Sequence, residues 1–391
     1  MELPIQTEAL VVHKPGDDFV MTPILIQNMN PDEILVEMKY TGLCHTDFLL
    51  RQGHLPGVRY PAIAGHEGAG IILSVGSAVK DKSLNPGDKV LLSFYSCGNC
   101  PSCLEDRLPT KCPDMPRANL RAARLQDGSS SATLTDGITH VSAHFFGHSS
   151  FSRISVVHEL SVVKCDDLDN KDMALYAPMG CGYQTGAGTI LNILKPKPYH
   201  HSLVVFGMGS VGFAAMMAAV AVGVKQIIAV DLVEGKLASA KELGATDIIQ
   251  PGLPGVSVVE EIKRITDRNF GVQFAIDTTG APKVVEEMLE CLRPGGTAVS
   301  VGAPPPDSPI KVDAGAFFHM NKNWLSVIEG DSYPPELIPR LTALHRKGKF
   351  PVEKISKTYP VAEIKQAIED MEAGKVRPST FPIRKLRTLL T

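Results

Sequence analysis

Residues 203–212 read Leu203-Val204-Val205-Phe206-Gly207-Met208-Gly209-Ser210-Val211-Gly212. Four apolar residues run into a glycine-punctuated turn, and an Ala/Met-rich stretch continues through Val222. The short apolar run bounded by Gly predicts a buried strand, and the stretch after it predicts a helix. In such a turn the first glycine makes the bend tight. The second lets backbone approach a pyrophosphate, and the third lets helix and strand pack closely. The helix N-terminus then offers unpaired N–H groups and partial positive charge to phosphates. Gly207, Gly209, Ser210, Val211 and Gly212 are therefore candidate dinucleotide contacts. Asp231 ends the next apolar run, 19 residues after Gly212, where a carboxylate can accept from both hydroxyls of an adenine ribose. It would repel a 2′-phosphate, which favours NAD over NADP. The plainer alternative is an ordinary strand–helix turn with Asp231 as a helix cap. Strand, glycines, helix, strand and acid in register argue against that.

Working outward, the alternation continues on the carboxyl side. Strands are expected at 226–230, 248–249, 274–277 and 297–301, with helices at 236–243, 256–266 and 281–292. This series predicts a parallel, doubly wound sheet. Residues 324–329 read as a final strand. Amphipathic patches at 336–345 and 364–371 belong to a segment expected to return to the first domain. On the amino side, short apolar or alternating runs at 9–12, 34–40, 70–75, 89–94 and 152–157 are separated by Gly, Pro, Asn and Asp. That pattern fits a compact antiparallel or barrel-like domain. Residues 117–139, with Gly128-Ser129-Ser130-Ser131 and little periodicity, read as a surface loop. The expected class is α/β. A mostly-β barrel-like domain takes residues 1–182, a nucleotide domain 183–323, and a return segment 324–391.

Composition narrows the function. With 39 basic and 42 acidic residues the net charge is −3, so nothing electrostatic points to nucleic acid or an anionic membrane. No apolar run reaches the roughly 18 residues of a membrane-spanning helix. The first residues lack the basic and apolar regions of a secretory signal, so a cytoplasmic location is expected. In such a compartment, eight cysteines favour metal ligation or redox chemistry over disulfides.

Four of them form Cys97-x-x-Cys100-x-x-Cys103-x8-Cys112. Short loops of this kind can bring four sulfurs around one tetrahedral zinc at about 2.3 Å, closing the sphere to substrate. That makes a structural site. An Fe–S cluster, a redox dithiol and a nucleic-acid zinc ribbon are the rivals. The Fe–S reading lacks a second cluster motif, and the ribbon lacks a basic surface nearby. A second set is spread more widely. Cys44 lies in Gly42-Leu43-Cys44-His45-Thr46-Asp47, His66 and Glu67 in Gly65-His66-Glu67-Gly68-Ala69-Gly70, and Cys181 in Gly180-Cys181-Gly182. Each residue alone reads as packing or a solvated charge. Together, the flanking glycines permit the close backbone approach that a three-ligand site with an open fourth position requires. Asp47 suits the role of partner to a ligating imidazole. Cys165 and Cys291 read as plain thiols.

In this order, these motifs resemble the zinc-dependent medium-chain alcohol dehydrogenases along essentially the whole chain. Gly180-Cys181-Gly182-Tyr183-Gln184-Thr185-Gly186-Ala187-Gly188 and His144-Phe145-Phe146-Gly147-His148-Ser149-Ser150-Phe151 are most similar to the aryl (benzyl) alcohol branch. The resemblance implies a GroES-like catalytic domain beside a Rossmann domain. It implies a catalytic zinc on Cys44, His66 and Cys181, with Glu67 behind or transiently on the metal. Thr46 would take the alcohol proton and pass it through the cofactor ribose. His45 and Arg377 would lie near the pyrophosphate, Lys236 would assist at the adenosine ribose, and Thr185 would pack near the nicotinamide. Two zincs per chain, NAD, and a homodimer or homotetramer are implied. By analogy with this family, the nucleotide-domain edge near 298–301 is an expected self-association surface.

Two departures stand out. Many members have seven residues between the third and fourth lobe cysteines, against eight here. Some members also carry a relay histidine where this chain has Leu49, so the relay would end at the ribose, water or a group such as His54. The expected reaction is hydride transfer between a primary, aryl or allylic, alcohol/aldehyde pair and NAD. Alternatives are an NADPH-preferring aldehyde reductase, a polyol dehydrogenase, a glutathione-dependent formaldehyde dehydrogenase, and a non-catalytic dinucleotide-binding protein. Leu49, His54, Phe94 and Phe145 are candidate pocket residues.

Overall fold

A computed structural model of the chain describes residues 2–197, 202–252, 255, 257–373 and 379–383. Among the described residues the strands form three sheets, and the chain divides into two compact units. The first unit takes residues 1–181, 333–339 and 355–391, and the second 182–332 and 340–354.

The second unit is the α/β layer expected from the glycine turn. Its sheet has six parallel strands, in the order Asp247–Ile249, Gln226–Val230, Ser202–Phe206, Val272–Asp277, Leu292–Ser300 and Asn323–Ser326. Every residue of the Ser202–Phe206 strand is buried, because a central parallel strand is covered on both faces. The helix Ser210–Ala221 begins directly after it, with Gly209 as N-cap. The expected boundary after residue 323 is corrected. Asn323–Ser326 pairs with Leu292–Ser300, so cutting there would leave a ladder unsatisfied, and the unit runs on to Ser332. The return segment is corrected too, since residues 340–354 belong to the nucleotide unit. Ala298 is fully buried between two neighbouring strands and is no edge; the edge strands are Asp247–Ile249 and Asn323–Ser326.

Among the described residues the strands of the first unit pair antiparallel, apart from Lys357–Thr358 with Ser379–Pro382, and one isolated bridge, Ala62 to Ser142, is also parallel. Its long strand Glu33–Leu43 pairs with Gly68–Val75, with Ile154–His158 and with the late strand Ser379–Pro382. Residues 117–139 are no surface loop. Ala132–Leu134 adds to the Val20–Ile26 strand, and Arg124 reaches a buried carboxylate, Glu33. The guanidinium grips it with Nε–Oε1 and Nη2–Oε2 contacts of 2.7 Å each. Burial opposes the Glu33 charge, but this bidentate bond holds its carboxyl below the ordinary range.

Candidate active site

Three segments of the first unit meet at one point. Cys44 is the N-cap of the helix His45–Gln52, and it follows the last residue of the long strand. His66 and Glu67 sit in the short turn between the strands Ala62–Ile63 and Gly68–Val75. Cys181 precedes the helix Gly182–Gly188. One ligand atom from each of these four residues lies within 4.8 Å of the other three. Glycines make the convergence possible. A Cβ on Gly42 would stand 2.0 Å from Glu67 Oε2, and one on Gly180 would stand 1.8 Å from the Leu92 carbonyl. The four carriers come from three distant stretches, and a side chain at either glycine would keep them from closing.

Asp47 organises the cluster. It is fully buried, and its Oδ1 accepts from the Gly65 N–H at 2.9 Å and lies 3.0 Å from His66 Nδ1. Its Oδ2 accepts from the Cys44 N–H at 2.9 Å. One carboxylate thus fixes the backbone of one sulfur carrier and the ring of the imidazole. The ring is also sandwiched by aromatics, with Phe146 stacked at 4.4 Å and Phe145 edge-on at 5.5 Å. Phe146 holds a left-handed backbone (φ 53°), which is what turns its side chain onto the ring. Nothing in the periodicity of the sequence signals that position.

The donor set fits a metal cation. His66 is fully buried, its Nδ1 is engaged by Asp47, and its Nε2 has no hydrogen-bond partner by geometry among the described residues. A buried ring nitrogen in that state beside two sulfurs suits a soft divalent ion. The Cys181 sulfur, acting against burial, holds the Cys44 thiol well below its usual range, so this pair favours thiolate. Burial disfavours charge on His66, yet Asp47 and Cys44 hold its imidazole well above the ordinary value. Proton and metal would compete for the same nitrogen. Thr46 Oγ1 lies 3.8 Å from the Cys44 sulfur, so the expected proton acceptor adjoins the cluster.

The lobe sulfurs of Cys97, Cys100, Cys103 and Cys112 also converge within 4.8 Å. The segment between Cys103 and Cys112 contains a left-handed Arg107 (φ 53°) and the 3-10 turn Pro109–Lys111. Burial pushes the Cys112 thiol up to about 12; burial opposes charge on Cys97 too, but the Asn99 N–H, the Cys112 side chain and the Cys100 N–H hold it below its ordinary value. Four crowded sulfurs need a cation to ionise together. None of the eight cysteines is in a disulfide, and Cys291 is buried with its thiol pushed up to about 12.

In the nucleotide unit the three glycines have distinct surroundings. Gly207 is left-handed (φ 89°), and a Cβ on Gly212 would meet the Gly207 carbonyl at 1.8 Å. A Cβ on Gly209 would meet nothing within 4 Å, which leaves room for a ligand's phosphates against the backbone. Asp231 Oδ2 accepts from the Met208 N–H at 2.7 Å and lies 3.6 Å from Lys236 Nζ. Asp231 therefore braces the glycine turn, which the ribose assignment alone did not foresee. Thr185 is buried and donates to the Glu329 carboxylate at 3.2 Å. His45 is exposed and edge-on to Phe48. Arg377 lies outside the described residues. Of the pocket candidates, Phe94 and Phe145 are buried, Leu49 is half-buried and His54 is exposed.

The aromatic loop carries a pH signature. Burial pushes His144 down to about 4 and His148 down to about 3. His144 is held neutral as an acceptor, with the Ser131 N–H donating to its Nε2 at 3.2 Å. Unfolded, both would titrate near about 6.5. Their stabilisation is full above that value and is lost as pH falls toward about 3–4, at up to about 1.4 kcal/mol per pH unit for each. Urea unfolding from about pH 7 to about pH 5 should show this slope. His148→Gln should flatten it by about half, and an unchanged slope would place the pH dependence elsewhere.

Comparison with known proteins agrees with this geometry. The alcohol dehydrogenase GroES-like domain family matches residues 30–167, and the zinc-binding dehydrogenase family matches 210–343. The geraniol dehydrogenase of Castellaniella defragrans is 36% identical over 372 residues, covering 95% of this chain and 96% of that protein. The crystal structure of benzyl alcohol dehydrogenase from Acinetobacter calcoaceticus matches with a TM-score of 0.89 at 35% identity, over 97% of this chain and 100% of that one. An alcohol dehydrogenase zinc-binding domain protein from Burkholderia ambifaria matches with a TM-score of 0.90, also at 35% identity and over the same shares. No helix among the described residues is long and apolar enough to cross a membrane. With both family domains in order and full-length relatives above 30% identity, the chain belongs to the zinc-dependent medium-chain alcohol dehydrogenase family.

Proposed function

We propose that the chain oxidises primary alcohols, aryl or allylic ones preferred, with NAD, and reduces the matching aldehydes with NADH. The observation that carries this reading is the Cys44–His66–Glu67–Cys181 cluster with its Asp47-fixed imidazole. The substrate class draws on the geraniol and benzyl alcohol dehydrogenases that the chain is similar to, since geraniol is allylic and benzyl alcohol aryl.

Cys44, His66 and Cys181 would hold the catalytic zinc, with Glu67 beside it, and the four lobe cysteines a second zinc. When bound, zinc supplies Lewis acidity toward the substrate oxygen, and the nicotinamide supplies the hydride acceptor. Asp47 keeps the His66 ring oriented and makes it a better ligand. The Thr46 hydroxyl would receive the proton that leaves the alcohol; with Leu49 where some members carry a relay histidine, the onward acceptor would be a cofactor hydroxyl, water or a group such as His54. Phe145 and Phe146 exclude water from the buried side of the imidazole. The glycine turn would cradle the pyrophosphate, Asp231 and Lys236 would meet the adenosine ribose, and Thr185 would line the nicotinamide end. NAD is favoured by the carboxylate of Asp231.

Metal analysis and an alcohol panel followed by NADH absorbance test this. Two zincs per chain and faster turnover of benzyl alcohol and geraniol than of ethanol are expected, with NAD preferred to NADP. No turnover with either nucleotide would overturn the reading. All four residues of the edge strand Asn323–Ser326 are exposed, and pairing with a second copy would cover its free backbone groups. Light scattering on the same sample should therefore report a homodimer or homotetramer, and a monomer would remove that assignment.

A further inference from the structure

Glu329 has no part in the chemistry above, yet it is one of the most constrained acids in the nucleotide unit. It is 7% exposed, and its Oε2 accepts from Gln184 Nε2 at 3.0 Å and from the Thr185 hydroxyl at 3.2 Å. Its backbone is left-handed, as are the next two residues (Glu329 φ 49°, Gly330 φ 66°, Asp331 φ 44°). Three such residues in a row, two of them bearing side chains, persist only where the surroundings impose them. Those surroundings are visible. Gly330 is wedged so that a Cβ would stand 2.4 Å from the Gln184 carbonyl, and Asn192 Nδ2 donates to the Gly330 and Asp331 carbonyls at 3.0 and 3.2 Å. The turn is clamped onto the helix Gly182–Gly188, and the clamp places a carboxylate against Thr185.

The sheet order says which end of a dinucleotide this carboxylate would face. Residues 329–331 follow the carboxyl end of the Asn323–Ser326 strand, on the same edge of the parallel sheet as the glycine turn. Asp231, the ribose-side acid, follows the strand on one side of Ser202–Phe206, whereas Asn323–Ser326 lies on the other side. A dinucleotide crosses such a sheet at the central turn, with its adenosine on the Asp231 side. The other nucleoside falls on the Glu329 side. Thr185 connects the two regions, since its neighbour Gly186 packs so closely on the glycine-turn helix that a Cβ would stand 2.0 Å from the Val211 carbonyl.

Resting on the dehydrogenase reading, we propose that Glu329 is a positioning residue for the nicotinamide end. It locks the Thr185 side chain and supplies a buried negative charge that favours the oxidised, cationic nicotinamide over the reduced, neutral one. The Gln184 amide and the Thr185 hydroxyl both donate to one carboxylate oxygen, Oε2. In a water-poor setting one charge biases a neighbouring cation by more than it would at the surface. The device therefore acts on the ratio of NAD⁺ to NADH affinity, not on affinity alone.

Equilibrium binding of NAD⁺ and NADH to the full chain, followed by protein fluorescence and calorimetry, tests this without turnover. Glu329→Gln keeps size and one acceptor oxygen but removes the charge. It should weaken NAD⁺ by about tenfold and change NADH by less than about threefold. Glu329→Asp keeps the charge on a shorter stem and should hold the NAD⁺/NADH ratio within about threefold of wild type. A purely packing role predicts the opposite order, with Asp worse than Gln and both nucleotides losing alike. That result, or an unchanged ratio in Glu329→Gln, overturns the inference and leaves the dehydrogenase reading intact. If Glu329→Gln fails to fold by thermal unfolding, Glu329→Ala takes its place: a fall in NAD⁺ affinity relative to NADH supports the charge role, and equal loss of both nucleotides rejects it. Failure of the wild-type chain to bind either nucleotide would remove the inference together with the reading it rests on.

Discussion

Cys181→Ala is expected to lower alcohol turnover by at least about 1000-fold and to take bound zinc from two per chain to one. The size of the effect follows from where the residue stands. Losing a partner that merely orients a metal ligand costs about 10–100-fold in affinity or activity. Cys181 would be a ligand itself, one of two sulfurs in a cluster whose atoms lie within 4.8 Å. A four-ligand zinc site binds with roughly 10–16 kcal/mol, so a single thiolate carries several kcal/mol of retention. The fold should survive. Cys181 is 8% exposed, alanine leaves only a small void, and Gly180, whose missing side chain admits the Leu92 carbonyl, is untouched. Cys103→Ala is the matching control at the lobe. It should also leave one zinc, but lower thermal stability more than initial turnover. If Cys181→Ala kept turnover while holding one zinc, the metal at Cys44 and His66 would have no role in catalysis.

The contrast between the two cysteine groups also shows what sequence can carry. The lobe is contiguous, so its spacing alone announces four converging sulfurs. The other cluster is legible only through its glycines, because Gly42 and Gly180 mark where backbone must pass close to another group. Asp47 was legible as well, since three residues after an N-cap is a capping position and the same carboxylate can reach a neighbouring ring. The nucleotide unit was readable because its strands and helices alternate locally and its parallel strands are continuous apolar runs. The first unit was harder. Val20–Ile26 contains Pro23 and shows no clean alternation of burial, so it gave no strand signal. Ser379–Pro382 joins the sheet against Thr41 and its neighbours, and no local pattern announces a partner more than 300 residues away. Residues 117–139 look like a loop in composition but are nailed down by Arg124 on Glu33. The Phe146 stack on His66 and the Glu329 clamp were missed for one shared reason. Both depend on left-handed backbone at residues other than glycine, which residue type does not advertise.

Asp231→Ser is expected to cost about two orders of magnitude in kcat/KM with NAD, and Asp231→Asn about one. In the wild-type chain the carboxylate already has two backbone partners: Oδ2 accepts from Met208 at 2.7 Å and Oδ1 from Val233 at 2.9 Å. Each oxygen keeps a second lone pair, so bracing the glycine turn and receiving ribose hydroxyls are compatible. A hydrogen bond to a charged group contributes about 1.5–3 kcal/mol, and serine forfeits two of them to the ribose along with the brace. Asparagine retains one acceptor oxygen but loses the charge, which is why its effect is smaller. The two variants should also differ from wild type in nucleotide choice. Lys236 Nζ stands 3.6 Å from Asp231 Oδ2, and without the carboxylate its charge is free to meet a 2′-phosphate. The NAD/NADP preference should therefore fall further than NAD activity itself, with NADP turnover rising in absolute terms for Asp231→Asn. Initial rates with both nucleotides on one alcohol decide between the two functions of the residue. A loss of NAD activity with an unchanged NAD/NADP ratio would mean that Asp231 serves the glycine turn alone, and that the choice of nucleotide is made elsewhere.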